Sequence, residues 1–211
     1  MSNQALGTVK ITKLEELSVT AKGKQFLKFT GLSYHWLQAN NQLVPSYHKF
    51  TLWGKRAESI GKCLSEGSNV FIKGMIRYNK SEKDGKFYTN INVEEIDFEG
   101  EVPDECLQFK AIIRGRLTKD PIQGSTKNGK PFTGITVVTQ KHQDKTMFHD
   151  CSAWGELAMP AAKYLEKGQR VYLEAVINYR KTDDGKYFTK LNIQTFSCLG
   201  KSQSKEKQAV A

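Results

Sequence analysis

The sequence is poor in what a metal site or a disulfide framework requires. Its 211 residues include 4 cysteines and 4 histidines. Cys63, Cys106, Cys151 and Cys198 form no Cys-x-x-Cys pair, and no two of them lie within 40 residues. Zinc ribbons and fingers draw two ligands from a single turn or hairpin. His35, His48, His142 and His149 offer no His-x3-His spacing, so neither a metal nor another cofactor is expected. The plain reading is four reduced thiols, several of them buried as small apolar residues. No apolar run is long enough to cross a membrane. The start, Met1-Ser2-Asn3-Gln4-Ala5-Leu6-Gly7, lacks the basic-then-apolar pattern of a secretory leader. The expected compartment is the cytoplasm, with no membrane partner. Catalytic signatures are missing too. There is no Walker A run, no Gly-x-Ser-x-Gly, no His-x-Glu with Pro-Cys-x-x-Cys, and no close acid pair outside turns and the central junction. Asp183-Asp184 reads as a hairpin turn. An enzyme is not expected.

What the chain has is positive charge, unevenly placed. Lys and Arg number 32 against 22 Asp and Glu, a formal net charge of +10. Between Glu94 and Glu105 stand seven acids (Glu94, Glu95, Asp97, Glu99, Glu101, Asp104, Glu105) and no Lys or Arg. Without them the balance is 32 − (22 − 7) = +17. Such a surplus favours an anionic partner. The Glu94–Glu105 segment is the part that partner should avoid.

The chain also repeats itself. Residues 53–80 against 154–181 give ten identities in 28 pairs, among them Trp53/Trp154, Gly54/Gly155, Leu64/Leu165, Gly67/Gly168, Ile76/Ile177 and Tyr78/Tyr179. One residue then drops out, after which Gly85-Lys86 matches Gly185-Lys186, and Thr89/Thr189 and Asn92/Asn192 follow. Upstream, Lys22-Gly23-Lys24-x-Phe26 matches Asn128-Gly129-Lys130-x-Phe132.

Each copy reads as strands around one helix. In the second, Phe109–Leu117 is a first strand, Asn128-Gly129 a hairpin turn, Phe132–Thr139 a second strand and Phe148–Trp154 a third. Ala158, Ala161 and Leu165 share one helical face, with Gly168 as the stop. Val171–Lys181 alternates as a fourth strand, with Val171, Leu173, Ala175 and Ile177 inward, and Tyr187–Phe196 is the last. Three strands, a helix and two strands is the order of an OB-fold, a five-stranded barrel that binds oligonucleotides. The expected class is therefore all-β: two tandem OB-fold barrels, each with one helix between strands three and four. The expected boundaries are 1–98 for the first barrel, 99–105 for an acidic linker, 106–199 for the second barrel and 200–211 for a disordered basic tail.

The ordered set of motifs resembles the bacterial single-stranded-DNA-binding protein family. Gly115-Arg-Leu117-x-x-Asp120-Pro121, Phe148-His149, Trp154-Gly155 and Leu165-x-Lys167-Gly168-x-x-Val171-Tyr172-Leu173-Glu174 carry the likeness in copy two. Tyr47-His48, Trp53-Gly54-Lys55-x-Ala57 and Gly67-x-x-Val70-Phe71-Ile72-x-Gly74 carry it in copy one. The resemblance implies stacking of bases on Trp36, Tyr47, Trp53, Phe148 and Trp154. It departs from the pattern near Ser81 and Thr182, where the family has a loop aromatic, and near His142-Gln143, where copy two has no counterpart of Trp36. Copy one also lacks an Asp-Pro after its first strand. The tail Lys201–Ala211 has no acidic, Phe-ended tip of the kind through which family members recruit replication and repair enzymes, which argues against such recruitment.

Sequence-blind binding requires flat aromatic faces for bases and cations for phosphates. Beside the five aromatics, the candidate contacts are Phe71, Lys73, Arg77, Lys80, Lys86 and Tyr88 in copy one, and Arg114, Arg116, Lys130, Tyr172, Arg180, Lys181 and Lys186 in copy two. Trp53 and Trp154 also suit the core at a strand end, and Tyr47 and Phe148 suit either place. Tyr78 and Tyr179 fall in phase with the core. Phe71 and Tyr172 are either DNA-facing or buried between barrels. One member of each pair Phe87-Tyr88 and Tyr187-Phe188 must face outward. The expected function is non-sequence-specific binding of single-stranded DNA in replication, recombination or repair, by a homodimer presenting four barrels. The alternatives are a protein-interaction adaptor, such as a primosome or recombination accessory factor, and a single-stranded RNA binder.

Overall fold

The computed structural model describes residues 2–37, 42–80, 87–140, 146–181 and 187–200, with backbone alone for Lys80, Phe87, Arg180, Lys181 and Tyr187. Ser81, Lys86, His142-Gln143, Thr182, Asp183-Asp184, Lys186 and the tail from Lys201 lie outside the described residues. The fold is all-β, in two compact units. One comprises Gln4–Lys110 with Tyr179–Phe188, the other Met1–Asn3, Ala111–Asn178 and Thr189–Ala211.

The first copy runs β1 (Ser2–Leu14), β2 (Ser18–Val19), β3 (Gln25–Leu37), β4 (Gln42–Trp53), α1 (Lys55–Gly61), β5 (Asn69–Lys80) and β6 (Phe87–Glu99). Hydrogen bonding sets them in the order β2-β3-β4-β6-β5-β1, and a further β3–β1 pairing closes the sheet on itself. Period-two alternation supplies the interior: Val9, Ile11, Leu27, Phe29, Phe50, Leu52, Ile72, Ile76 and Ile91 are all buried. Phe29 and Phe50 stack at 5.1 Å within it. Gly54, with φ 71°, turns β4 into α1, which buries Ala57.

The second copy repeats this plan with β7 (Phe109–Leu117), β8 (Ile122–Ser125), β9 (Pro131–Gln140), β10 (Thr146–Trp154), α2 (Ala158–Tyr164), β11 (Arg170–Lys181) and β12 (Tyr187–Cys198). Their order is β7-β11-β12-β10-β9-β8, closed by β7–β9. Val171, Leu173, Ala175 and Ile177 face inward from β11 as the alternation requires. The helical stop differs from expectation. The backbone is already extended at Leu165 (ψ 142°), and Gly168 (φ 85°) turns the chain three residues later. Leu165 still reaches the core, so its spacing reflects shared burial and not helical membership.

The acidic junction is bonded down at its far end. β6 extends to Glu99, and Asp104–Cys106 forms a short 3₁₀ turn. Leu107 is fully buried. The Thr8 N–H donates to the Gln108 carbonyl (2.9 Å) and the Tyr34 N–H to the Leu107 carbonyl (2.6 Å). The Tyr34 hydroxyl donates to Asp104 Oδ2 (3.0 Å). A glycine is needed opposite: Gly7 has φ 144°, and a Cβ there would overlap the Gln108 carbonyl.

Candidate nucleic-acid interface

The outward strip of the first copy follows from the phase of β3 and β4. With Leu27, Phe29, Gly31 and Ser33 inside, Phe26, Lys28, Thr30, Leu32, Tyr34 and Trp36 turn outward. With His48, Phe50 and Leu52 inside, Tyr47, Lys49 and Trp53 do the same. The antiparallel register sets Phe26 beside Trp53, Thr30 beside Lys49, and Leu32 beside Tyr47. A short parallel pairing, Phe50 with Ile91 and Thr51 with Asn92, brings β6 alongside. Tyr88, Asn90 and Asn92 thereby join the strip, and Lys49 Nζ lies 5.5 Å from the Tyr88 ring centre. Trp36 is 48% exposed and Tyr47 56%, which places both rings at the surface.

The two tryptophans sit in closely matched surroundings. The Trp53 indole N–H donates to Asn92 Oδ1 (3.4 Å), its ring is tilted at 5.3 Å from Phe26, and Lys24 Nζ lies 5.1 Å from its centre. The Trp154 indole N–H donates to Asn192 Oδ1 (3.3 Å), its ring is tilted at 5.2 Å from Phe132, and Lys130 Nζ lies 6.0 Å away. Both rings are half-buried. Each is therefore supported from below and open on part of its face, the condition a base-stacking platform requires.

In the second copy the strip carries Phe132, Thr136, Val138, Phe148 and Trp154, with Lys190 and Asn192 on β12. Phe148 is 58% and Phe188 51% exposed. The place of Lys49 is taken by Asp150, whose Oδ1 accepts from the Thr136 hydroxyl (3.1 Å).

Beneath the strips each copy buries a histidine. His48 Nε2 is 2.8 Å from Ser33 Oγ, and its Nδ1 is 3.0 Å from the Tyr179 hydroxyl. His149 Nε2 is 2.9 Å from Thr139 Oγ1. Burial lowers both rings, His48 to about 3 and His149 to about 4. They are neutral hydrogen-bonding groups at neutral pH, and the hydroxyls satisfy nitrogens that would otherwise be costly inside a barrel. Tyr179, in phase with the core by sequence, is instead half-buried, and its hydroxyl meets the histidine of the first copy. Burial raises its own pKa.

The remaining candidates are scattered. Phe71 and Lys73 lie on β5 opposite Asp97 and Glu95. Lys73 Nζ is bonded to Glu95 Oε1 (2.8 Å), which raises its pKa, so this lysine is held at the acidic end of the sheet. Arg77, further along β5, is half-buried. In copy two Arg114 is exposed, Arg116 donates to the Gly168 carbonyl (2.6 Å), and the Tyr172 hydroxyl donates to Glu174 Oε1 (2.8 Å). The side chains of Lys80, Arg180 and Lys181, and all of Lys86 and Lys186, fall outside the described positions. Sequence reasoning missed Lys24, Phe26, Lys28, Lys49, Asn92, Phe132, Lys190 and Asn192 as members of the strips. The repeated Lys-x-Phe and the repeated Asn were the signals that marked several of them. Among the described residues no group of three His, Cys, Asp or Glu is placed to hold a metal. No helix among them is long and apolar enough to cross a membrane.

Comparison with known proteins gives a consistent result. The model of the single-strand binding protein family matches twice, over residues 4–99 and 108–199. Single-stranded DNA-binding protein 1 of Chlorobaculum tepidum is 32% identical over 108 residues, covering 45% of this chain and 67% of that protein. The single-stranded DNA-binding protein of Thermus aquaticus is 31% identical over 144 residues, covering 59% of this chain and 54% of that one. The present chain thus spans about half the length of one curated relative and two thirds of the other. The crystal structure of the wild-type Thermus aquaticus protein superposes with a TM-score of 0.78 at 23% identity, over 98% of each chain. A deletion mutant of it gives 0.77 at 24% identity. At that identity the superposition speaks for the fold.

Proposed function

The chain belongs to the single-strand binding protein family, and on that premise we propose that it binds single-stranded DNA without sequence preference, by stacking bases on its barrel faces and neutralising phosphates with flanking lysines. It acts by binding and not by catalysis. The observation that carries the reading is the twice-built tryptophan surround, Lys24–Phe26–Trp53–Asn92 and Lys130–Phe132–Trp154–Asn192. Tyr47, Trp36 and Tyr88 extend the first platform, and Phe148 the second. Stacking is indifferent to sequence because every base has a π-face.

Protection of exposed strands during replication, recombination or repair, in the cytoplasm, is the setting this activity suits. A homodimer would display four barrels. Titration with oligo-dT while following tryptophan fluorescence tests the reading: quenching is expected, and no quenching, or equal affinity for duplex DNA, overturns it. Light scattering tests the dimer, with an expected mass about twice the chain's 23.9 kDa.

A further inference from the structure

An indole at the end of a strand, half open to solvent, is free to turn about its side-chain torsions unless something holds it. Both tryptophans are held by the same device. The indole has a single hydrogen-bond donor and no acceptor, and in each copy an asparagine near the middle of the last strand takes that donor, at 3.4 Å for Trp53 and 3.3 Å for Trp154. A phenylalanine supports the ring at 5.3 and 5.2 Å, with tilts of 43° and 39°. The two arrangements agree closely although the copies share only ten of 28 residues through the stretch that begins at the tryptophans. In the first copy Asn92 is itself steadied, since Asn90 Nδ2 donates to its Oδ1 (3.2 Å). In the second the corresponding neighbour is Lys190.

We propose that Asn92 and Asn192 are positioning residues for strand binding: each fixes the rotation of its indole and engages the indole's only polar group, so that a base meets a pre-set π-face and nothing that reads its edge. This rests on the reading of the strips as a single-stranded-DNA site. Pre-set orientation lowers the ordering cost of binding. An engaged N–H also removes the one feature of the ring able to distinguish one base from another.

Indole-¹⁵N-labelled protein carries three Nε1–H signals, from Trp36, Trp53 and Trp154. Asn92→Leu is expected to move the Trp53 signal and hasten its exchange with water while leaving that of Trp154 in place. Asn192→Leu should do the reverse. Each variant should lose about fivefold in oligo-dT affinity, the scale of one neutral hydrogen bond. Asn92→Asp keeps an acceptor and should hold the Trp53 exchange rate near that of the unaltered protein, a rescue that a merely structural role would not produce. Should leucine disturb the barrel, Asn92→Ser, polar but too short to reach the indole, repeats the measurement. Unmoved signals in the leucine or serine variants overturn the proposal, as do moved signals with unchanged affinity. If the unaltered chain binds no oligo-dT, the functional reading falls, while the signals still decide whether the asparagines hold the rings.

Discussion

In the first copy the outward strip of β3 and β4 carries Lys28 and Lys49; in the second the same two places hold Gly134 and Asp150. Trp36 apart, the aromatic places do not drift in this way. Trp53 answers to Trp154, Tyr47 to Phe148, Tyr88 to Phe188 and Phe26 to Phe132. The contrast has a physical reason. A base stacks only on a ring at a definite height and tilt, so the ring and its supports are tied to one place. A phosphate is satisfied by an ammonium on a long flexible stem, which can start from any of several neighbouring positions. Lys190, standing where the first copy has Asn90, illustrates such a relocation. The interiors agree as well, each with a buried histidine bonded to a hydroxyl.

The shared interior gives the largest expected effect. The ordinary histidine pKa is 6.5, and burial lowers His48 to about 3 and His149 to about 4. Below about pH 6.5 the unfolded chain takes up a proton on each ring while the folded barrels do not. Stability therefore falls as pH drops from about 6.5, until the folded rings titrate at about 4 and 3. By pH 4 the loss should be on the order of 2–3 kcal/mol per ring, read from urea midpoints at pH 7, 5.5 and 4. His48→Gln and His149→Gln should each flatten part of that slope, and an unaltered slope in both would break the parallel.

The platforms come next. Trp53→Ala and Trp154→Ala should each weaken oligo-dT binding by about 1–3 kcal/mol, measured by anisotropy of a labelled oligonucleotide. A loss confined to one would show that only one copy stacks bases. The charge difference is smaller and appears in the salt dependence. For single strands the slope of log K against log salt changes by about 0.7 per phosphate contact. Lys49→Gln should make the slope shallower by about that amount, Asp150→Lys should steepen it, and no change in either would erase the distinction between the strips. Smallest of all, Lys24→Ala and Lys130→Ala remove a cation near a half-buried indole, a contact of about 0.5–1 kcal/mol. Each should shift tryptophan emission with little change in melting temperature, and the shift should be larger for Lys24, the closer of the two.

Much of the fold was legible because its signals are local. Alternation in Val171–Ile177, the Asn128-Gly129 turn and the offset repeat each depend on residues near one another in sequence. The outward placement of Trp36 also followed from local pattern and resemblance together, whereas Tyr47 and Phe148 suited either place until the phase of β4 and β10 turned them outward. The rest depends on partners brought close only by the barrel. The Trp53–Asn92 bond spans 39 residues, and nothing near Trp53 announces it. Lys73 looked like a phosphate contact from its strand alone. Its capture by Glu95 depends on the β5–β6 register, which shifts between Lys73 and Gly74. Nothing local marks His48 and His149 as interior, since their burial is set by the phase of β4 and β10 and by hydroxyls ten or more residues away.

The bond from Thr8 to the Gln108 carbonyl bears on how the molecule avoids self-association. β1 pairs with β5 through Ala5–Lys10 and with β3 from Lys10 onward. Where the strand leaves one partner for the other, its free side would offer bare amides to any passing strand, the template on which edge-to-edge aggregates grow. Gln108 covers it, Leu107 takes the amide of Tyr34 beside it, and Gly7 leaves the room to do so. The few residues between the copies thus act as a guard strip. Their hold on the first copy keeps that stretch of backbone paired within the chain and closed to a foreign strand.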